Sequence, residues 1–330
     1  MKIFITGGAG FLGHRIAQML VQEGHQVTSF SRTYYPFLEK EGIQSVIGDI
    51  QDLDTVKKSM AGHDAVIHTA AKIGMFGQYI DFHQTNVVGT QNLLNAAMDL
   101  GINYFIYTSS PSVVFGQEDL CGADETIQYP KEHLSFYAKT KAEAERIVLK
   151  AGKTGQIKTV SLRPHLILGP GDKNLFPKLM DAHIKGQLKR VGNGENLVDV
   201  IHVDNAAKAH LLALEKLIQG RDISGEAYFL GQESPVNLWK FINELFTIIG
   251  IGEVTKHIPF TVAYYLGGAM EKYYTFQNKF NQDPPMTRFV ATQLAKGHYF
   301  SHKKAQKDLD YFPHISLTQM KKDITAPYLH

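Results

Sequence analysis

The 330-residue sequence holds a single cysteine, Cys121. An intramolecular disulfide is thereby excluded, and a reducing, cytoplasmic location is expected. Long apolar runs are missing as well. The nearest approach to the ~18 apolar residues that span a bilayer is IPFTVAYYLGGAMEKYYTF (258–276), broken by Gly267, Gly268, Glu271 and Lys272. In MKIFITGGAG the apolar stretch is too short for a secretory leader, so none is expected. Nor is there an excess of one charge. The 34 basic and 32 acidic residues leave a formal +2, which gives no basic field for nucleic acid. With one cysteine no CxxC can exist, and none of the 15 histidines lies in an HExxH pattern, so no metal site is expected. What remains is 44% hydrophobic and 20% charged, the balance of a soluble globular protein with length enough for a large core.

Short β-rich runs alternate with helical ones through the first half. KIFIT (2–6), HQVTSF (25–30), IQSVIG (43–48), DAVIHTA (64–70), NYFIYTSS (103–110), IKTVSLRP (157–164) and EAYFLG (226–231) read as strands. FLGHRIAQMLVQEG (11–24), TNVVGTQNLLNAAMDLG (85–101), a run around Tyr137 and DNAAKAHLLALEKL (204–217) read as helices. Continuous apolar strands separated by helices imply an α/β fold, a Rossmann-type doubly wound parallel sheet covered on both faces. From about 232 the residues are more aromatic and read as irregular, forming a smaller mixed C-terminal lobe. The expected division is 1–164 plus about 199–231 for a dinucleotide-binding domain, and 165–198 plus 232–330 for a substrate lobe.

TGGAGFLG (6–13) follows the first strand and opens the first helix. Gly7, Gly10 and Gly13 give the tight turn and close backbone approach that a pyrophosphate needs, with Phe11 and Leu12 at the positive end of the helix. A glycine triplet alone says little among 29 glycines; its place between strand and helix gives it meaning. The second strand ends in Ser31 and Arg32, where an acid would favour NAD(H). A hydroxyl beside a guanidinium suits a 2′-phosphate, so NADP(H) is favoured; a merely solvated Arg32 is the competing reading. Asp49 in GDIQD, followed by Ile50, ends the third strand, where its carboxylate can meet adenine. HTAAK (68–72) ends the fourth, its small residues Ala70 and Ala71, before Lys72, letting backbone lie beside the cofactor; loop punctuation is the competing reading for both stretches.

YAKTK places Tyr137 and Lys141 one helical turn apart, on one face. A phenol with pKa ~10 is mostly protonated at neutral pH, and a neighbouring ammonium is expected to lower that value. Such a phenol suits a general acid that protonates a ketone oxygen. A second match, Tyr299 to Lys303, precedes KKAQKDLDYFP and reads as a charged surface helix instead. Tyr137 has a context that Tyr299 lacks, since Ser110 closes the fifth strand 27 residues before it.

TGGAGFLG, GDIQD, HTAAK, TNVVGT, YTSS, YAKTK, LRP and DVIHVDNAA, in that order over about residues 1–205, resemble the extended short-chain dehydrogenase/reductase family. Within it the chain is similar to the 3β-hydroxysteroid and sterol-carboxylate dehydrogenase branch, through YTSSPSVVFG, LVDVIHVDNAAKAH and the late PPMTRF and HYFSHKKAQKDLDYFP. The resemblance implies Ser110, Tyr137 and Lys141 as the catalytic set, with Ser109 or Ser112 as alternatives to Ser110. It implies that Tyr137, Lys141 and Pro164 meet the nicotinamide end of the cofactor. It implies NADPH-dependent reduction of the 3-ketone of a long-chain 2-alkyl-3-oxoalkanoic acid. Oxidation of a hydroxysteroid or sterol carboxylate, nucleotide-sugar epimerisation, and cofactor sensing without turnover are the alternatives. A homodimer packed through helices 79–100 and 134–152 is implied by the same likeness, and the expected partner is a hydrophobic, acyl or sterol-like small molecule. Segment 258–276 offers apolar and aromatic residues for lining such a pocket, or for ordinary core.

Overall fold

A computed structural model describes residues 1–329. Seven parallel strands form the central sheet: β1 (Lys2–Thr6), β2 (Gln26–Ser31), β3 (Ile43–Ile47), β4 (Ala65–His68), β5 (Tyr104–Thr108), β6 (Lys158–Pro164) and β7 (Glu226–Leu230). Their spatial order is β7-β6-β5-β4-β1-β2-β3, so the chain starts at the centre, winds outward, and crosses back over β1 to wind the other way. Alternation along each strand feeds two layers. Ile3 and Ile5 of β1 enter one core, packed with Ile16 and Leu20 of α1 (Phe11–Gln22). Phe4, between them, enters the opposite core with Phe30, Val66 and Phe105. Helices α2 (Leu53–Met60), α3 (Gly89–Asp99) and α4 (Phe136–Lys153) cover that second face, while α5 (Val203–Ile218) joins α1 on the first.

The expected strands β4 and β5 run shorter than their apolar stretches. They stop at His68 and Thr108, and the residues after them become loops at the sheet's carboxyl edge, where ligands bind in such folds. The helix expected over 85–101 begins earlier, at Tyr79–His83, and passes through a π-helical turn at Gln84–Val88 before continuing as α3.

The C-terminal third is more regular than its sequence suggests. It contains α6 (Leu238–Ile248), α7 (Phe260–Phe276), α8 (Arg288–Ala295) and α9 (Leu317–Thr325). Trp239, Ile242, Leu245 and Phe246 recur at helical spacing and are buried together, an apolar face hidden in the sequence among equally apolar neighbours. Short strands at Leu120–Ala123, Leu197–Val198, Val236–Asn237 and His298–Phe300 form a separate mixed sheet. Tyr299 therefore does not share a helix with Lys303, which begins its own at Lys303–Leu309. The strand is pinned by Phe300, whose ring stacks on Phe229 at 4.0 Å and whose N–H donates to Asp199.

Candidate active site

Each glycine of the first turn answers a different steric demand. Gly7 has φ +73°, a left-handed conformation that other residues resist. A Cβ on Gly13 would lie 2.7 Å from Thr69 Oγ1 and collide with the Gly7 carbonyl, so the helix can approach the strand only without it. At Gly10 an added Cβ would meet only the Gly7 carbonyl, at 3.2 Å. No side chain caps α1, and no acid sits in its first turn. The N–H groups of that turn are thus left to an anion, at the positive end of the helix. Replacing Gly13 with valine is expected to destabilise the fold by about 1–3 kcal/mol through overpacking. Chemical denaturation would measure that loss, and an unchanged midpoint would contradict the packing described.

Around this turn the other expected contacts gather at the same edge. Ser31 ends β2 with its hydroxyl donating to the Thr33 carbonyl at 2.8 Å, and Arg32 is exposed with no carboxylate paired to it among the described residues. Asp49 follows β3 and accepts from the Gln51 N–H at 3.0 Å, while Ile50 is buried against Gly89. The Ala70 N–H donates to Thr6 Oγ1 at 3.2 Å. Ala71 and Lys72 follow, partly exposed, on the loop after β4. The Lys72 ammonium turns away from the turn, 3.5 Å from Asp81 and above the Phe82 ring. Its backbone is held by Asn86, whose Oδ1 accepts from Lys72 N–H at 2.7 Å and whose Nδ2 donates to the Lys72 carbonyl and to Thr140. Asn86 thereby ties the loop after β4 to the first turns of α4. Its place inside TNVVGT marked the motif, but periodicity alone gave no sign of this role.

Ser135 caps α4, its hydroxyl accepting from the Ala138 N–H at 3.1 Å, and sets Tyr137 in the first turn. Three serines compete for the place beside it. Ser109 is buried with its hydroxyl unpartnered, and Ser112 is buried and donates through both N–H (3.2 Å) and hydroxyl (3.0 Å) to Ser110 Oγ. Ser110, half-buried, lies close enough to the Tyr137 phenol to lower its pKa. With its lone pairs filled by Ser112, its own proton is free to go outward. The geometry brings Ser110, not its neighbours, to Tyr137.

Lys141 is buried one turn along α4, its ammonium donating to the Thr108 carbonyl at 2.6 Å and lying 4.1 Å from the centre of the Tyr107 ring. The neighbouring His210 is fixed in one tautomer: Nδ1 donates to the Ala206 carbonyl, so Nε2 accepts from the Thr108 hydroxyl at 2.8 Å. Burial lowers Lys141 to about 7, opposed by the charge of Glu145. Here one expectation needs correcting. Tyr137 is pushed above the ordinary phenol value by burial, and Ser110, not Lys141, is the group that opposes the rise. The ammonium is committed to Thr108 and the Tyr107 ring, on the sheet side of the helix.

Beneath Lys141 lies a group that the sequence did not single out. Glu145, fully buried two turns beyond Tyr137, accepts from Arg163 Nε (2.9 Å) and Nη2 (2.7 Å), Ser161 (2.8 Å) and Tyr129 (2.7 Å). Burial resists its ionisation, but Arg163 and the two hydroxyls outweigh it and hold the carboxylate below its usual range. Arg163 precedes Pro164 at the end of β6, so this ion pair joins α4 to the strand closing the site.

A cavity of about 760 Å³ opens beside the N-terminus of α4. Met75, Phe76, Phe82, Leu134, Phe136 and Phe276 make much of its wall apolar. Of the 258–276 segment only the C-terminal end (Glu271, Lys272, Thr275 and Phe276) lines this space. The segment is a helix, and little of it is core: only Ala263 and Gly267 are buried.

A doubly wound sheet with a glycine turn at its first crossing and a Ser–Tyr–Lys cluster at its carboxyl edge defines an oxidoreductase of the extended short-chain dehydrogenase/reductase type. Residues 4–261 match the 3-beta hydroxysteroid dehydrogenase/isomerase family, and the chain belongs to it. It is 41% identical over 329 residues to the 2-alkyl-3-oxoalkanoate reductase of Stenotrophomonas maltophilia, covering 99% of each chain. To the decarboxylating sterol-4-alpha-carboxylate 3-dehydrogenase of Mus musculus it is 30% identical over 332 residues, covering 100% of this chain and 91% of the mouse protein. Among solved structures, the crystal structure of gox2253 superposes with a TM-score of 0.79 at 26% identity, covering 98% of this chain and 96% of the other.

Proposed function

We propose that the protein reduces the 3-ketone of a long-chain 2-alkyl-3-oxoalkanoic acid to the 3-hydroxy acid, with NADPH as the reductant and Tyr137 as general acid. The observation that carries this reading is the end-to-end likeness to a 2-alkyl-3-oxoalkanoate reductase, at 41% identity with 99% of both chains aligned. The apolar cavity at the N-terminus of α4, lined by Ser135 and Phe136 but not by Tyr137 itself, supports it, since it offers an acyl chain a wall of aromatic and aliphatic side chains.

The residues present fit a dinucleotide. Gly7 and Gly10 shape the turn, their N–H groups donating to the Phe30 and Gly7 carbonyls, and Phe11, Leu12 and Gly13 open an uncapped helix whose first N–H groups can meet a pyrophosphate. Ser31 and Arg32 would hold a 2′-phosphate, Asp49 and Ile50 the adenine, and Ala70, Ala71 and Lys72 would flank the cofactor with backbone. Tyr137, Lys141 and Pro164 would meet its nicotinamide end. When bound, the cofactor supplies a hydride to the carbonyl carbon. Ser110 donates a hydrogen bond to the carbonyl oxygen, and Tyr137 delivers the proton that completes the alcohol. A phenol raised by burial stays protonated at neutral pH, as reduction requires. Lys141 holds its ammonium on the sheet side of α4, against the Thr108 carbonyl.

The sign of the pH dependence follows. Lys141 has a pKa of about 7 and Tyr137 one above the usual phenol value, so Lys141 loses its proton first. Reductive kcat/KM is expected to fall as pH rises through about 7. Glu145→Gln removes the charge that opposes the drop, so in a pH–rate profile its falling limb moves to lower pH. A limb that stays in place would contradict the pairing.

The sterol dehydrogenase reading rests on the 30% likeness to the mouse enzyme. In both named reactions a carboxylate is attached to the carbon next to the one bearing the oxygen. Oxidation there creates a β-oxo acid, which readily loses CO2; reduction removes the ketone and lets the carboxylate survive. Ser31 and Arg32, with no acid at the end of β2, favour NADPH and hence reduction. Arg32→Glu is expected to lower kcat/KM for NADPH by about 10–100-fold while sparing NADH, through loss of a charge-assisted contact. Steady-state kinetics with both cofactors test this; an unchanged NADPH preference would remove the 2′-phosphate role.

A further inference from the structure

Among the described residues three besides glycine have a positive φ: Leu166 (36°), Asn278 (53°) and Asp310 (55°). Asn278 and Asp310 are of the types that enter this left-handed region, and both stand at the end of a helix. Leu166 is neither. A leucine Cβ crowds the following carbonyl in that conformation, and no helix ends here to call for it. The backbone on either side is pinned. The His165 N–H donates to the Leu230 carbonyl at 3.3 Å, and its buried ring meets that of His298 at 2.6 Å. The Leu166 carbonyl accepts from the Ile201 N–H at 3.3 Å, and Ile167–Leu168 pairs with Ile201–His202 in a short parallel ladder. A non-glycine residue keeps such a conformation only where its surroundings over-determine it, and such residues gather at binding and catalytic sites.

The position lies at the edge of the candidate site. Leu166 follows Pro164 by two residues, and β6 there runs beside the catalytic loop, with the Leu162 carbonyl accepting from the Ser109 N–H at 2.7 Å. The turn sends the leucine side chain to the C-terminal lobe, where it packs half-buried against the lobe's core. Leu175, and Leu179 and Met180 of the helix Phe176–Ile184, pack on the same core and are half-buried too. None of these four lines the cavity at the N-terminus of α4. Partly open apolar side chains are therefore not confined to that cavity.

We propose that Leu166 is a specificity-determining residue that bears on one of the substrate's two alkyl chains. The inference rests on the reductase reading, since a 2-alkyl-3-oxo acid carries one chain on C2 and another beyond C3. The two diverge from the reacting carbons, and the cavity at the N-terminus of α4 takes one of them. The other runs past Leu166. Glycine or asparagine would relax the turn at the loss of this apolar contact, whereas leucine keeps the contact and bears the strain.

The test compares Leu166→Asn with Leu166→Ala. Both remove the apolar branch, but only asparagine is at ease in the left-handed region. The asparagine variant is expected to melt about 1–3 °C above the alanine variant. Calorimetric titration of the NADP+-saturated protein with dodecanoate is expected to show about tenfold weaker binding in both variants, with NADP+ affinity unchanged. In turnover, both should lose about tenfold in kcat/KM, through KM, when both chains of the oxoacid are long. The loss should nearly vanish when one particular chain is cut to methyl. Unaltered dodecanoate binding would overturn the proposal. So would an equal loss with every oxoacid, which would mark a general distortion of the site, or an alanine variant as stable as the asparagine one. Dodecanoate binding needs no turnover, so a wild type that binds it and leaves oxoacids untouched would fail the reductase reading alone.

Discussion

Replacing Tyr137 with phenylalanine is expected to cut reductive turnover by about 10²–10⁴-fold, the range that a positioned general acid supplies. The ring of Phe fills the same space, Ser135 still caps α4, and the Asn86–Thr140 contact is untouched. Cofactor binding and Tm should therefore be nearly unchanged. The loss should appear in kcat and kcat/KM together, because the proton is transferred only in the transition state. Ser110→Ala should cost less, since it removes a hydrogen bond to the carbonyl and leaves the proton donor in place. A Tyr137→Phe enzyme that turns over at the wild-type rate would mean that another group, or water, delivers the proton.

Arg163→Met is expected to destabilise the protein by about 3–5 kcal/mol, the cost of leaving a buried charge without its partner. Glu145 would keep two hydroxyl donors but lose its cation, and its pKa would rise from the depressed value that Arg163 now maintains. The linkage has a definite sign. A carboxylate held below its unfolded pKa contributes stability above that unfolded value and loses it as pH falls through the folded one. Wild-type stability should therefore decline on acidification below the ordinary carboxylate range, and the variant should lack much of that slope. Urea unfolding at neutral and acidic pH would measure both. Equal midpoints for the two proteins at neutral pH would show that the pair contributes nothing net.

The sheet was legible because its strands are buried on both faces and interrupted by helices with clear apolar stripes. Ile3, Phe4 and Ile5 leave few alternatives to a central strand. The glycine turn was legible for a related reason, since the glycines stand where strand passes into helix. Tyr137 and Lys141 could be placed on one face by spacing alone. The direction of the lysine could not: that Nζ reaches back to Thr108 depends on where β5 ends, two residues short of its β-rich run. Glu145 was hidden because one of the two glutamates in AEAER looks like any solvated helix residue, and its partners Arg163, Ser161 and Tyr129 come from other parts of the chain. The lobe beyond 232 resisted reading because its aromatic residues face both inward and outward. Trp239 and Phe246 are core, whereas Tyr265 and Phe276 are surface, and composition does not separate them.

The most direct measurement is NADPH oxidation by the purified protein with a synthetic long-chain 2-alkyl-3-oxoalkanoic acid, with the product analysed by mass. The account predicts consumption of one NADPH per 3-hydroxy acid formed, with the carboxylate retained. It also predicts a marked preference over NADH. An enzyme that binds NADPH yet leaves the oxoacid untouched, while oxidising a sterol carboxylate with NAD+ and releasing CO2, would contradict it.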